Sequence, residues 1–296
     1  MNTPQVSIVI AGRNDNYGTN FLQRLDTFVR SLDWQCKPYP GRFELVVVEW
    51  NPLSDRDPLS KVIRPTKNLA TRVITVPPDV HTSLGAPYPV LEFYAKNVGA
   101  RRARGEFVLT TNPDILFSNE LITELATGWL RKDCVYRTDR FDFRCDGIED
   151  VADSDLLAFA VQNTFCGHVM DNNASMTVDV ANVDHAGRLP RTKVTDATVH
   201  TNACGDFILA SREAFFTARG LWETTEQRWH VDSTSLVRFL NTGLHQAFFV
   251  APHCIFHQDH ARSTQDCAFE ISDIGKKPGS PNWGLNNIAL TEIELV

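Results

Sequence analysis

The sequence has no CxxC pair, no long apolar run and no excess of basic charge, and each absence removes a class of function. Its seven cysteines, Cys36, Cys134, Cys145, Cys166, Cys204, Cys254 and Cys267, are odd in number and irregularly spaced. That pattern speaks against a disulfide framework and for free, mostly buried thiols in a reducing compartment. No stretch approaches the roughly 20 apolar residues that a membrane span needs. Residues 1–5 are polar and 6–11 are too few for the apolar part of a secretory signal. A cytoplasmic protein is the expectation, compatible with peripheral contact with a membrane. Acidic residues outnumber basic ones, 36 to 29, so a general nucleic-acid binder, which needs a basic face, is not expected. Neither GxGxxG nor GxxxxGK[ST] occurs, which removes the dinucleotide fingerprint and the P-loop. Internal repeats and low-complexity tracts are missing as well.

What is present is a chain of 296 residues, 43% hydrophobic, enough for a substantial core in one large α/β domain or two small ones. Apolar, β-branched runs at 6–11, 43–50, 71–76 and 107–111 read as buried strands. Between them, apolar residues at helical spacing mark 20–32, and a helix opens at Pro89 and ends near Arg104. Ser118 and Ser211 stand where helix caps belong, before 119–129 and 212–218. Strands are expected at 135–140, 205–211, 245–250 and 254–257, and a helix at 232–240. This alternation predicts a mostly parallel sheet with helices on both faces. Residues 79–89 read as loop. Residues 141–201 show little helical period and are expected to be partly mobile, ordering over a substrate. From 261 onward the composition predicts a loosely packed tail.

The stretch 95–117, AKNVGARRARGEFVLTTNPDILF, concentrates the chemistry. A helix carrying Lys96, Asn97, Arg101 and Arg102 precedes a strand that ends in Asn112-Pro113-Asp114. Ligands of open α/β sheets bind at the carboxyl ends of strands. A carboxylate there, after a basic helix, suits a metal-bound diphosphate, although Asn-Pro-Asp is also good turn chemistry. Near the end of the chain, Cys254, His257 and His260 are spaced three apart, which raises a structural zinc site as one reading.

Four segments, VSIVIAGRND, AKNVGARRARGEFVLTTNPD, GDFILASREAFFTARGL and HVDSTSLVRFLNTG, resemble in order the motifs of nucleotide-sugar-dependent glycosyltransferases of the GT-A fold, family 2 in particular. VEWNP after the second strand also resembles the exostosin-like transferases. The resemblance implies a Rossmann-like GT-A domain over 1–260. Its nucleotide-sugar-binding half would be 1–117 and its acceptor-side half 118–260, with 261–296 as the tail. It implies a nucleotide-diphosphate sugar donor such as a UDP sugar, and a glycan or other hydroxyl acceptor. Ala11, Gly12, Arg13 and Asp15 would touch the base, with Glu49, Trp50 and Asn51 beside them. Lys96, Asn97 and Arg101 would lie toward the ribose and diphosphate. Asp114, flanked by Asn112 and Pro113, would bind Mn²⁺ or Mg²⁺, and a late histidine, His257 or alternatively His260, would complete the metal shell. Asp206 would hydrogen-bond sugar hydroxyls. Asp232 would be the base that deprotonates the acceptor, its pKa lowered by the helix start behind it. The plainer readings are a turn residue for Asp206, a helix cap for Asp232 and core packing for Trp50.

Two positions depart from the motif: Asn112 stands where the family has its first metal-motif Asp, and Val231 precedes Asp232 in place of an acid. Asn112 favours an alternative, a non-catalytic nucleotide- or sugar-binding relative. A nucleotidyltransferase is a third reading, for which residues 11–15 supply only one Gly and one Arg. Donor sugar, acceptor, stereochemistry and oligomeric state are left open by the sequence.

Overall fold

The computed structural model describes residues 3–171, 174–178, 192–194, 199, 203–227, 229–261 and 277–295. Its strands are β1 (Val6–Gly12), β2 (Phe43–Trp50), β3 (Ala70–Val76), β4 (Phe107–Thr110), β5 (Ile115–Phe117), β6 (Cys134–Phe143), β7 (Thr164–Asp171), β8 (Ala174–Val178), β9 (Thr192–Val194), β10 (Ile208–Ser211), β11 (His245–Gln258) and β12 (Thr291–Leu295). They form one sheet in the order β12-β3-β2-β1-β4-β10-β6-β11-β5, with β7, β8 and β9 added beside β6 and β11. The strands β3, β2, β1 and β4 run parallel, and β10 lies antiparallel between β4 and β6.

The helices are α1 (Phe21–Cys36), α2 (Leu59–Val62), α3 (Pro78–Ser83), α4 (Glu92–Arg102), α5 (Asn119–Thr127), α6 (Leu156–Gln162), α7 (Arg212–Ala218) and α8 (Val231–Leu240). Successive strand residues point to opposite faces, and both faces are covered. Val6, Ile8 and Ile10 of β1 pack with Phe21, Leu25 and Phe28 of α1 and Leu121 of α5. Val9 and Ala11 pack with Ala95 and Val98 of α4, Phe215 of α7 and Phe239 of α8. This explains why the parallel strands read as largely apolar runs. It also explains Gly99, where an added Cβ would stand 2.4 Å from Val9 Cγ1; α4 needs that gap to lie close to the sheet. The expected caps are present: Ser118 Oγ accepts from the Leu121 N–H at 3.2 Å, and Ser211 Oγ from the Ala214 N–H at 3.1 Å.

Several expectations need correcting. The helix expected from Pro89 starts at Glu92, and the expected loop 79–89 contains most of α3. The segment after 141 holds α6, β7, β8 and β9, while its residues 172–173, 179–191, 195–198 and 200–201 lie outside the described ones. The two short strands expected at 245–250 and 254–257 are one strand, β11, whose pairing with β6 shifts between Phe249 and Cys254. Pro252, which has no N–H to donate, stands in that shift and hid the continuity.

The tail is also different. Residues 277–295 are pinned rather than loose. Trp283 is buried in the α4 face of the core, and the Arg101 guanidinium lies 4.8 Å from its ring centre. Arg102 donates to the carbonyls of Gly284, Leu285 and Ile288 at 2.7, 3.1 and 3.2 Å. Past them, β12 pairs antiparallel with β3. Polar composition conceals this because arginines on α4, not the tail's own side chains, satisfy its backbone. Trp283→Ala is therefore expected to cost about 3–5 kcal/mol, seen as a lower urea midpoint. A change below about 0.5 kcal/mol would mean that the segment does not contribute to the fold. Among the described residues, no helix is long and apolar enough to cross a membrane.

Candidate functional site

A cleft of about 390 Å³ opens at the carboxyl ends of β1 and β4. Ala11, Gly12, Arg13 and Asp15 line it from the end of β1. Asn112, Pro113 and Asp114 line it from the end of β4, Asp206 from the turn before β10, Asp232 from the start of α8 and His257 from the end of β11. The segments 11–15 and 112–114 thus share one end of the sheet, as a common ligand requires.

The other expected contacts are not in the cleft lining, and each has another occupation. Glu49 is buried and accepts from the Leu59 N–H at 2.9 Å, and burial raises its pKa. Trp50 is core, and its Nε1–H donates to His81 Nδ1 at 3.0 Å. Asn51 donates to the Pro89 carbonyl at 3.0 Å. Asn97 donates to the Leu221 carbonyl and to Glu223 Oε1, both at 3.0 Å, and Arg101 lies over Trp283. Lys96 is buried, and its Nζ donates to Glu92 Oε1, Asn112 Oδ1 and the Gly205 carbonyl at 2.6, 2.7 and 2.9 Å. All three ammonium protons are used. The basic helix thus holds the fold together, and its placement does not support the expectation that Lys96, Asn97 and Arg101 reach a diphosphate.

At the cleft floor, Asp114, His257 and His260 each offer a ligand atom, and these atoms lie within 4.8 Å of one another. Asp114 Oδ2 is 3.2 Å from His260 Nε2, 3.9 Å from His257 Nε2 and 3.7 Å from Arg24 Nε. Asp114 Oδ1 is buried with no hydrogen-bond partner. Burial opposes ionisation of this carboxyl, but His257, His260 and Arg24 outweigh it and bring its pKa down to about 2. Donor atoms about 2 Å from a cation stand about 3–4 Å from one another, so the three residues fit a divalent metal ion. Both histidine alternatives read from the sequence are brought together here. Cys254 is not among the three; it is buried and its thiol contacts the Pro252 carbonyl at 3.6 Å.

The fold resembles that of S. aureus TarS. In the crystal structure of TarS 1-349, the TM-score is 0.50 at 13% identity, over 86% of this chain and 60% of that one. The likeness is one of fold, a central mostly parallel sheet flanked by helices, and this chain spans less than two thirds of the TarS chain. No protein-family model and no curated protein sequence matches the chain.

Asn112 now has a physical explanation. Its Oδ1 accepts from Lys96, and its Nδ2 donates to Asp206 Oδ1 at 2.7 Å. An aspartate at 112 would set two carboxylates against each other. The second oxygen of Asp206 accepts from Arg140 Nη1 at 2.5 Å, and burial opposes but does not cancel the resulting fall in its pKa. Each oxygen of Asp206 thus already has one partner within the protein. Arg140 also makes a two-pronged contact with Asp142, 2.7 and 3.0 Å.

Asp232 lies in the first turn of α8, two residues past the N-cap position, which His230 fills. Its Oδ2 accepts from the Gly205 N–H and its Oδ1 from the Ser233 N–H, both at 2.8 Å. The lowered pKa expected from the helix start is reversed. Burial dominates and raises it, with the Ser233 N–H and Arg137 opposing only in part.

Arg24, Arg140 and Asp142 escaped the sequence reading. Arg140-Phe141-Asp142-Phe143 alternates charged and apolar residues at the end of a strand, a signal that two charged side chains share one face. Arg24 gives none, because it sits amid the apolar period of α1.

Proposed function

We propose that this chain is a metal-assisted glycosyltransferase that moves a sugar from a nucleotide-diphosphate donor to an acceptor hydroxyl. One observation carries the reading: a carboxylate and two imidazoles converge at the floor of a cleft that Asp232 also lines. Asp114, His257 and His260 would hold the cation, which stabilises the charge that gathers on the departing diphosphate. Two imidazoles favour a transition ion such as Mn²⁺ over Mg²⁺. Ala11, Gly12, Arg13 and Asp15 would meet the nucleotide. Asp232 would take the acceptor proton; its burial-raised pKa makes it a stronger base than an ordinary aspartate. Asp206 would act by position, holding Asn112 and Arg140.

The sequence argument for a non-catalytic relative was Asn112, and its bonds to Lys96 and Asp206 give it a structural reason instead. Thermal unfolding with UDP or GDP, with and without Mn²⁺, tests the reading. A nucleotide at 100 times its dissociation constant adds about 2.7 kcal/mol, and the gain should require the cation. Nucleotide stabilisation that is equal without Mn²⁺, or none at all, would overturn the metal-assisted reading. Donor binding with neither transfer nor hydrolysis would favour the binding relative.

A further inference from the structure

We propose that Asp142 is a positioning residue that fixes the ring of His257 so that Nε2 is the atom presented to a cation. The inference rests on the cation reading above and adds a residue to it. Asp142 and His257 are direct neighbours across the β6–β11 ladder. Asp142 Oδ1 lies 3.3 Å from His257 Nδ1, while Asp114 lies on the Nε2 side of the ring at 3.9 Å. The ring is thus held between two carboxylates, one at each nitrogen. A neutral imidazole carries its single proton on one nitrogen only. A carboxylate at Nδ1 draws the proton there and turns the Nε2 lone pair toward a metal ion. Outer partners of this kind orient ligating histidines and raise their basicity.

Asp142 is itself held firmly enough to do this. Arg140, two residues away on the same strand face, grips both of its oxygens. His168 of β7 approaches from the other side, its Nε2 3.5 Å from Asp142 Oδ2. Through Arg140 the same carboxylate connects to Asp206 and Asn112. The cation ligand and the wall of the cleft therefore share one polar network.

Two measurements test the proposal. The first uses long-range proton–nitrogen correlation spectra of metal-free protein labelled at histidine nitrogen, with the His257 signal identified by its loss in His257→Gln. His257 should carry its proton on Nδ1, and the Nε2–H form should grow in Asp142→Asn. The second is a calorimetric titration with Mn²⁺, in which Asp142→Asn should bind about 10–100-fold more weakly while circular dichroism remains that of the parent. A proton on Nε2 of His257 in the parent protein would overturn the proposal without any need for the variant to fold. So would parent-like Mn²⁺ affinity in Asp142→Asn. If the parent itself binds no Mn²⁺, the cation reading fails first and takes this proposal with it.

Discussion

Asp114→Ala is expected to abolish cation-dependent nucleotide binding, a loss of at least about 100-fold in Mn²⁺ affinity. Asp114 is the anionic member of the cluster with His257 and His260, and divalent cations draw much of their binding from anionic oxygen. Two neutral imidazoles beside Arg24 would leave the ion next to an uncompensated positive charge. Asn112→Ala is expected to weaken binding less, since its amide is spent on Lys96 and Asp206 and acts on the cation only by position. Calorimetry with Mn²⁺ and UDP on both variants checks the contrast. Equal, metal-independent binding in the two would show that Asp114 is not the metal ligand.

The second large effect is at Asp232. Asp232→Asn should keep donor and cation binding while transfer falls by about 10²–10⁴-fold. Asparagine retains one acceptor oxygen for the Gly205 or Ser233 N–H, so the start of α8 should persist and the unfolding temperature should fall only modestly. A single-turnover assay separates chemistry from binding. Transfer near the parent rate would reduce Asp232 to a ligand of two backbone N–H groups. A product with the donor's anomeric configuration would exclude in-line attack by the hydroxyl that Asp232 deprotonates, even if Asp232 proved essential.

Much of the N-terminal half of the fold was legible in the sequence. Its strands are buried on both faces and its helices follow an apolar period, so the pattern that makes them fold is the pattern one reads. Asp114 was legible for the same reason, as a carboxylate just beyond such a strand. The roles of Lys96, Asn97 and Arg101 were not. A basic helix before a strand looks the same whether its charges face a ligand or hold a distant segment, and here the tail claims Arg101. The partnership of Asp142 with His257 was hidden by 115 positions of chain and by a ladder that only the folded sheet creates. The direction of the Asp232 pKa was missed because a helix start is visible in sequence and burial of a single carboxyl is not.

The pairing of β12 with β3 also bears on how molecules of this protein meet one another. Among the described residues, β12 is the last strand on its side of the sheet, and the outer backbone groups of such a strand can pair with a strand from another chain. Thr291, Glu292, Ile293 and Glu294 are exposed there. Glu292 and Glu294 share one face, with Arg72 and Arg104 as their partners. Charged side chains along an edge strand are one way in which natural sheets discourage such pairing. The apolar β3 would offer a far more adhesive edge if β12 were absent. The segment whose polarity makes it look expendable would thus keep β3 from standing as the open edge of the sheet.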